Sequence, residues 1–385
     1  MNVAVIGAGT MGSGIAQVAA QAGHKVVLFD TRREAVDKAL VGLRKTLDKL
    51  VEKSKLTAEQ ADGIHGRITP ASDLKDLAGS GLVIEAIIED LGIKQKLFAE
   101  LEGIVAGDAI LATNTSSLSV TAIAGRLKHP ERMVGLHFFN PAPLLPLVEV
   151  VPGLASDEAL ASRCATLMTA WGKVPVVCKD TPGFIVNRVA RPFYGEAIRI
   201  YEEGIADMPT IDAAMKSVGF KMGPFELMDL IGNDINFTVT KTVWEAFFYD
   251  PRYKPSFTQQ RQVESGRLGR KSGRGYYRYD QKQGQEQVQE PVPTALSAII
   301  TERILAMLIN EAADALFWRV ASAQDIDLAM TKGVNYPKGL LAWAEEKGAA
   351  HWLGVLERLQ AQYGEDRYRP STLLRTASQG VSLIR

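Results

Sequence analysis

The feature that most constrains this chain is a glycine-rich turn close to its N-terminus. Gly7, Gly9 and Gly12 follow the apolar run Val3–Ile6 and precede a helical pattern of residues. In a strand–turn–helix unit, the first glycine allows a tight turn, the second lets the backbone approach a pyrophosphate, and the third lets the helix pack closely. The motif predicts a dinucleotide-binding βα unit, with Thr10 and Met11 beside the pyrophosphate.

An acidic residue completes this pattern. Asp30 ends a second apolar run, Lys25–Phe29, and follows Gly12 at close to the spacing typical of the carboxylate that binds the ribose hydroxyls of NAD. Because a carboxylate repels a 2′-phosphate, Asp30 favours NAD over NADP. Arg32 and Arg33 follow directly and leave NADP open as the alternative. A glycine turn in an unrelated α/β protein is the other interpretation.

Composition and charge narrow the classes of protein. The chain has 385 residues, with 44 Lys+Arg and 44 Asp+Glu, so we expect neither nucleic acid nor a membrane as partner. No apolar run is long enough to span a bilayer, and the first strand begins at the N-terminus, so no signal peptide is expected. Cys164 and Cys178 form neither a disulfide framework nor a metal motif. We expect a cytoplasmic protein without a metal site.

Strand-like and helix-like segments alternate through the first 180 residues. Alternation of this kind predicts a parallel, doubly wound α/β sheet of the Rossmann type over residues 1–180. The strand candidates are Val3–Ile6, Val26–Phe29, Leu82–Ala86, Ile110–Thr113, Val134–His137, Leu147–Val150 and Val174–Val177.

The rest of the chain is helical in its hydrophobic period, and it repeats. A shift of 115 residues places Arg188 on Arg303 and the pair Ile211-Asp212 on Ile326-Asp327. We therefore predict two tandem all-α helical domains, at 181–280 and 294–385, separated by a polar linker at 281–293. Chance similarity of two amphipathic helix pairs is the alternative. The two copies are not identical: the position of Asn187 in the first copy is occupied by Glu302 in the second.

Polar residues with catalytic potential follow several predicted strands. His137 lies in Gly135–Pro141, and Glu149 is an acid within the apolar strand Leu147–Val151. A dehydrogenase that oxidises an alcohol needs a base near neutral pKa, and a carboxylate behind an imidazole orients it. His137 and Glu149 are thus a candidate pair; a core histidine and a water-facing edge glutamate are the alternative.

Other candidates have equally simple structural explanations. Ser116, in Asn114–Ser117, can hydrogen-bond a substrate oxygen or cap the next helix. Glu89 and Lys94 flank the start of the predicted helix Leu91–Glu102, where exposed charges are common. Lys271 lies in a glycine-rich basic loop that can reach a phosphate.

Taken together, these motifs closely resemble the 3-hydroxyacyl-CoA dehydrogenase family over nearly the whole chain. The tandem helical repeat and the tail around Ala342–Ala344 are similar to the bacterial phenylacetate-degradation type of that family. The resemblance rests on Gly7–Gln17, Val83–Asp90, Asn114–Leu118, Gly135–Val151, Thr181–Arg188 and Met222–Asp229.

The resemblance implies roles for individual residues. His137 and Glu149 match the catalytic dyad, Ser116 the catalytic serine, and Asn187 the asparagine that contacts the substrate. The remaining matches are to binding residues. Contacts with the cofactor match Asn114, Glu89, Lys94, Asn140 and Lys271, and contacts with CoA match Thr46 and Lys53.

The resemblance also implies a reaction, in which a (3S)-3-hydroxyacyl-CoA and NAD+ give a 3-oxoacyl-CoA and NADH. Relatives of this type are associated with 3-hydroxyadipyl-CoA and 3-hydroxybutyryl-CoA. Pro146 stands where many members have a lysine, which weakens the expectation of a dicarboxyl substrate. A catalytically idle NAD-binding protein and a dehydrogenase of free 3-hydroxy acids are the alternatives. Single-repeat members dimerise through the helical domain, so we expect a homodimer or a pseudo-dimeric monomer here.

Overall fold

The structure, a computed structural model, describes residues 1–279, 292–380 and 382–383. The chain divides into two compact units, Met1–Phe184 and Ile185–Arg385. Of the predicted linker 281–293, residues 281–291 lie outside the described residues, as do 381 and 384–385 of the predicted last domain. Within the described residues, no helix combines the length and apolar character needed to cross a membrane.

The first unit is built on one sheet, which has eight strands among its described residues in the order β3-β2-β1-β4-β5-β6-β7-β8. All residues of β4 and β5 are buried, and since side chains alternate along a strand, both faces of the sheet are covered there. The strands are Asn2–Ile6 (β1), Lys25–Phe29 (β2), Ile68–Pro70 (β3), Leu82–Glu85 (β4), Ile110–Thr113 (β5), Met133–Phe138 (β6), Leu147–Pro152 (β7) and Val174–Val177 (β8).

The sheet is mixed, and the expectation of a wholly parallel sheet was wrong at one edge. Strand β7 pairs antiparallel with β6 and parallel with β8, so the last two strands run against the first six. The connection over residues 139–146 is shorter than the roughly dozen residues that a parallel crossover requires. Strand β3, which the sequence analysis missed, is short and ends in Pro70.

Six helices connect these strands among the described residues. Local signals fix several of their starts: Thr57 and Gln60 form a capping box, and Asp90 and Ser119 accept backbone N–H bonds at N-caps. The helices are Thr10–Gln21 (α1), Arg33–Glu52 (α2), Ala58–Gly66 (α3), Leu91–Glu102 (α4), Val120–Ala124 (α5) and Leu160–Ala170 (α6).

The order of the strands reverses at β1, which lies between β2 and β4. Ligands of open α/β sheets bind at such a switch point, outside the carboxyl ends of the strands. The glycine turn after β1 and Asp30 after β2 are both at this edge of the sheet.

The second unit consists of helices packed around one long helix. That helix, α13, has buried residues on all its faces over Ile300–Ala315 and packs against α7, α8, α9, α14, α15, α16 and α17. The helices are Val186–Val189 (α7), Arg191–Glu202 (α8), Met208–Ser217 (α9), Pro224–Ile231 (α10), Asn233–Ala246 (α11), Phe257–Glu264 (α12), Thr294–Phe317 (α13), Ala323–Gly333 (α14), Leu340–Lys347 (α15), Ala349–Tyr363 (α16) and Thr372–Ala377 (α17).

The two helical copies have matching internal contacts. In the first copy the carboxylate of Asp212 accepts N–H bonds from the start of α10, at Phe225 and Glu226. In the second copy Asp327 accepts the same pair of bonds at the start of α15. The predicted fold class, a Rossmann-type sheet followed by two tandem helical domains, is confirmed.

Candidate active site

A histidine and a glutamate face each other on neighbouring strands. His137 of β6 and Glu149 of β7 are paired across the antiparallel ladder, so their side chains lie on the same face of the sheet. His137 Nδ1 lies 2.7 Å from Glu149 Oε2, and both residues are buried. A carboxylate accepts the Nδ1–H proton, which leaves Nε2 as the acceptor nitrogen of the neutral ring. This arrangement suits a general base.

Aromatic rings surround the imidazole. The ring centroid of His137 is 4.4 Å from that of Phe139 and 5.9 Å from that of Phe184. Apolar contacts of this kind keep water away from the ring and hold its orientation.

Asn114 braces the strand that carries His137. It follows β5, and its side-chain Oδ1 accepts the backbone N–H of Phe138 at 2.8 Å. The amide group of Asn114 therefore fixes the end of β6. The sequence predicts a contact of Asn114 with the cofactor, for which the two N–H groups of its side-chain amide would be the donors.

Glu89 holds the serine loop after β5. Its Oε1 accepts the backbone N–H groups of Ser116 at 2.9 Å and Ser117 at 3.2 Å, together with the Thr115 hydroxyl at 2.5 Å. Burial alone would raise the pKa of Glu89, but the charge of Lys94 and these hydrogen bonds hold that pKa below its ordinary value. Glu89 is therefore ionised and fixes the backbone of Ser116.

Lys94 is buried between two carboxylates and is not the exposed helix charge that we considered. Its Nζ lies 2.5 Å from Glu85 Oε1 and 3.2 Å from Glu89 Oε2. Glu85 is fully buried at the end of β4, and it also accepts a hydrogen bond from Thr113. Since Lys94 is only 1% exposed, its charge acts on Glu89 and the serine loop.

The glycine turn has the steric properties that its motif requires. Gly7 has φ +101°, and a Cβ atom there would lie 2.5 Å from the carbonyl oxygen of Ala86. A Cβ atom at Gly12 would lie 1.8 Å from the carbonyl oxygen of Gly7, so α1 packs directly against the turn. A Cβ atom at Gly9 would meet nothing within 4 Å, which leaves open space at the N-terminus of α1.

Asp30 lies beside this turn. Its Oδ2 accepts the N–H of Ala8 at 2.9 Å, and its Oδ1 accepts that of Arg32 at 3.0 Å. A cavity of about 600 Å³ adjoins Asp30 and Gly9, with apolar walls that include Ile88 and Leu97. A carboxylate, open backbone N–H groups and an apolar wall fit the ribose, pyrophosphate and adenine of a dinucleotide.

The other predicted contacts of this unit lie at its surface or near it. Thr10 and Asn140 are exposed, and Met11 is half-buried. Thr46 is exposed on α2, and Lys53 is exposed directly after that helix, two helical turns further on. All five positions are accessible to a ligand.

Two predicted site residues belong to the second unit. Asn187, on α7, is half-buried, and its carbonyl oxygen accepts a hydrogen bond from Arg191 Nε at 2.7 Å. Lys271 Nζ lies 2.6 Å from Asp234 Oδ1, so its charge is already balanced. The loop around Lys271 folds over Asp229, whose buried carboxylate accepts the N–H groups of Tyr276 and Tyr277. The glycines and tyrosines of this loop thus have a structural function.

Sequence reasoning missed two carboxylates that organise the site. Glu85 is an acid in an apolar strand, the same signal that identified Glu149. Asp180 accepts hydrogen bonds from the Ser119 hydroxyl and the N–H groups of Val120 and Thr121, so it fixes the start of α5. No sequence motif marks Asp180.

A sheet with a glycine turn and an acid at its switch point, together with a buried histidine–glutamate pair, is the arrangement expected of an NAD-dependent dehydrogenase. The NAD binding domain of the 3-hydroxyacyl-CoA dehydrogenases matches residues 2–181, and the C-terminal domain of the same family matches residues 183–279 and 299–381. The chain belongs to the 3-hydroxyacyl-CoA dehydrogenase family. The family consists of NAD-dependent oxidoreductases, and the chain is an enzyme of this class.

Individual relatives cover one or both helical copies. A 3-hydroxyadipyl-CoA dehydrogenase of Escherichia coli K12 is 42% identical over 97% of this chain and 96% of its own length. A 3-hydroxybutyryl-CoA dehydrogenase of Mycobacterium tuberculosis is 42% identical over 72% of this chain and 98% of its own. The crystal structure of a 3-hydroxybutyryl-CoA dehydrogenase from Escherichia coli K12 has a TM-score of 0.92 at 41% identity, covering 98% of both chains.

Proposed function

We propose that this chain oxidises (3S)-3-hydroxyacyl-CoA thioesters to 3-oxoacyl-CoA, with NAD+ as the hydride acceptor and with short or dicarboxyl acyl groups as substrates. The observation that carries this proposal is the 2.7 Å contact between His137 Nδ1 and Glu149 Oε2. The contact orients an imidazole base on the strand that ends beside Asn114 and the serine loop.

The cofactor is assigned to the switch point of the sheet. Gly7, Gly9 and Gly12 shape the turn, while Thr10 and Met11 open α1, whose N-terminal N–H groups and dipole attract the pyrophosphate. The carboxylate of Asp30 binds the ribose hydroxyls and disfavours a 2′-phosphate. Bound NAD+ supplies the hydride acceptor.

His137 acts as the general base in this proposal. Nε2 takes the proton of the substrate hydroxyl as hydride leaves the adjacent carbon, and the ring becomes an imidazolium. The carboxylate of Glu149 fixes the tautomer and stabilises that positive charge. In the reverse direction, the same nitrogen returns the proton to the oxygen.

Ser116 and Asn187 are assigned to the oxygen of the substrate. Hydrogen-bond donors aimed at an oxygen that becomes a carbonyl stabilise the transition state when they are held in place beforehand. Glu89 holds the backbone of Ser116 through two N–H bonds at and beside that residue. Asn187 is assigned because its segment, Thr181–Arg188, resembles the one that carries the substrate-contacting asparagine of the family.

The other cofactor and CoA contacts follow the sequence prediction. Glu89, Asn114 and Asn140 are assigned to the nicotinamide side of the cofactor, and Lys94 acts there through Glu89 because it is buried. Thr46 and Lys53 are assigned to CoA, whose phosphate groups the exposed cation of Lys53 attracts. Lys271 is assigned to the cofactor, and its ammonium group, which has three N–H donors, also pairs with Asp234.

We further propose that the second helical copy replaces a partner subunit, so that the chain is a pseudo-dimeric monomer. Arg188 of the first copy pairs with Glu311 of the second, and Arg303 of the second pairs with Glu196 of the first. This exchange of the same contact in both directions is the property of a twofold interface.

A substrate panel tests the proposed reaction. Formation of NADH is measured with (3S)- and (3R)-3-hydroxybutyryl-CoA, with (3S)-3-hydroxyadipyl-CoA and with free 3-hydroxybutyrate. We expect turnover of the (3S) thioesters alone, with NAD+ preferred to NADP+. Equal turnover of the free acid would show that CoA is not recognised. The absence of turnover with every thioester would contradict the proposed function.

A further inference from the structure

Arg191 is a buried cation that has no acidic partner in the part of the chain that the structure describes. It opens α8 and is 8% exposed, yet no carboxylate of the described residues lies within ion-pair distance of its guanidinium. Two other buried arginines of this unit, Arg188 and Arg303, are each paired with a glutamate. A buried charge costs several kcal/mol unless it is compensated, so an unpaired guanidinium calls for an explanation.

The hydrogen bonds of Arg191 account for only part of its donor capacity. Nε donates to the carbonyl oxygen of Asn187 at 2.7 Å, and Nη1 donates to the Thr240 hydroxyl at 3.2 Å. Nη2 has no hydrogen-bond partner among the described residues. A guanidinium carries five N–H groups, so several donors of Arg191 are left for a ligand.

Two tyrosines lie near the guanidinium of Arg191, and one of them is a donor without an acceptor among the described residues. The Cζ atom of Arg191 lies 5.0 Å from the ring centroid of Tyr194, and Tyr336 is close enough to interact with the guanidinium electrostatically. The hydroxyl of Tyr336 is buried and has no hydrogen-bond partner among the described residues. Phe193 and Phe220 pack around Tyr336 and keep this cluster apolar on its other sides.

The cluster lies close to a residue assigned to the substrate. Arg191 follows Asn187 by four residues and donates to its carbonyl oxygen, so the two residues are about 6 Å apart along the helical direction. A ligand that reaches Asn187 with its reacting oxygen can therefore reach Arg191 with a group a few carbon atoms further along the acyl chain.

We propose that Arg191 binds a carboxylate at the far end of the acyl chain, with Tyr336 as a second donor, so that the preferred substrates are dicarboxyl 3-hydroxyacyl-CoA thioesters. A carboxylate has the planar, two-oxygen shape that matches the guanidinium fork, and it neutralises the buried charge. This inference rests on the proposed function and adds the chemistry of the acyl end to it.

A matched pair of substrates tests the inference. (3S)-3-hydroxyadipyl-CoA and (3S)-3-hydroxyhexanoyl-CoA have acyl chains of equal length and differ in having a carboxylate or a methyl group at the end. We expect the wild-type chain to prefer the adipyl substrate in kcat/KM. In Arg191→Met, kcat/KM should fall about a hundredfold for the adipyl substrate and change little for the hexanoyl substrate. Tyr336→Phe should give a smaller loss in the same direction.

The control variant is Arg199→Met, which removes another arginine of α8 whose guanidinium pairs with Glu365. It should affect both substrates equally. Equal losses on both substrates in Arg191→Met, or a wild-type preference for the hexanoyl substrate, would overturn the inference. If Arg191→Met does not fold, the affinities of the wild-type chain for unreactive adipyl-CoA and hexanoyl-CoA are compared instead. Tighter binding of adipyl-CoA is expected, and equal affinities would overturn the inference. Absence of turnover with both substrates would instead contradict the proposed function.

Discussion

Arg188 and Glu311 form a buried ion pair that joins the two helical copies, with 2.6 Å between Nε and Oε1. The pair recurs in reverse, because Arg303 and Glu196 occupy the equivalent positions and lie 2.9 Å apart. Glu311 also accepts hydrogen bonds from Tyr253 and Arg252. Each copy thus buries a glutamate that is compensated by an arginine from the other, which makes the second copy part of the folded core.

Truncation after Tyr279 tests this dependence. The shortened chain lacks α13, so the buried faces of α8 and α9 and the charge of Glu196 are exposed to water. We expect the truncated chain to self-associate or precipitate, while the full chain has a single mass in light scattering. A truncated chain that is soluble, folded and unchanged in its state of association would contradict the proposed role of the second copy.

Replacement of Asp30 tests the assignment of the ribose ligand. Asp30→Ala removes a carboxylate that accepts the N–H of Ala8 and faces the cavity beside Gly9. We expect NAD+ affinity to fall about tenfold to a hundredfold, with a smaller change for NADP+. Titration calorimetry measures both affinities, and Asp37→Ala, an exposed acid on α2, is the control. Unchanged affinity for NAD+ would exclude Asp30 as the ribose ligand.

Replacement of Lys94 tests the buried ion pair. Lys94→Met leaves Glu85 fully buried without its cation, so the free energy of unfolding should fall by about 3–5 kcal/mol. Lys96→Met, at an exposed position of the same helix, should have little effect. Denaturant unfolding of both variants without cofactor makes the comparison. Equal stability of the two variants would show that Glu85 does not depend on Lys94.

The pKa of Glu89 predicts a loss of stability in acid. Since its pKa is lower in the folded than in the unfolded chain, Glu89 stabilises the fold above its unfolded pKa near 4.5. That contribution is lost as the pH falls through the folded pKa. Unfolding measured from neutral pH into acid should therefore depend less on pH in Glu89→Gln than in the wild type. Glu100→Gln, which removes an exposed carboxylate of α4, is the control for the change in charge. Identical pH profiles of the wild type and Glu89→Gln would contradict this account.

Much of the nucleotide-binding half could be predicted because its signals are local. The glycine turn, the first helix and the acid after β2 are contiguous motifs whose geometry depends on a few neighbouring residues. The pairing of His137 with Glu149 depends on a longer range. Residue type and position in a predicted strand identified His137 and Glu149 as candidates. Only the antiparallel register of β6 and β7 places the two residues opposite each other.

Other features depend on tertiary packing, which the sequence alone does not show. Lys94 lies in a polar stretch of sequence, yet the buried carboxylate of Glu85 draws its ammonium group inside. The loop around Lys271 has the composition of a phosphate site, but its lysine pairs with Asp234, and the N–H groups of Tyr276 and Tyr277 that follow the loop donate to Asp229. Arg191 has no motif at all, because an unpaired buried charge is visible only when the surroundings are known.

The measurement that tests the central claim most directly is a single-turnover assay of NADH formation in wild type and His137→Ala. With saturating NAD+ and a (3S)-3-hydroxyacyl-CoA substrate, we expect the rate of the variant to fall about a hundredfold or more, because the base is lost. The affinity for NAD+, measured in the same preparations, should change little. A variant that forms NADH at the wild-type rate would contradict the assignment of His137 as the base.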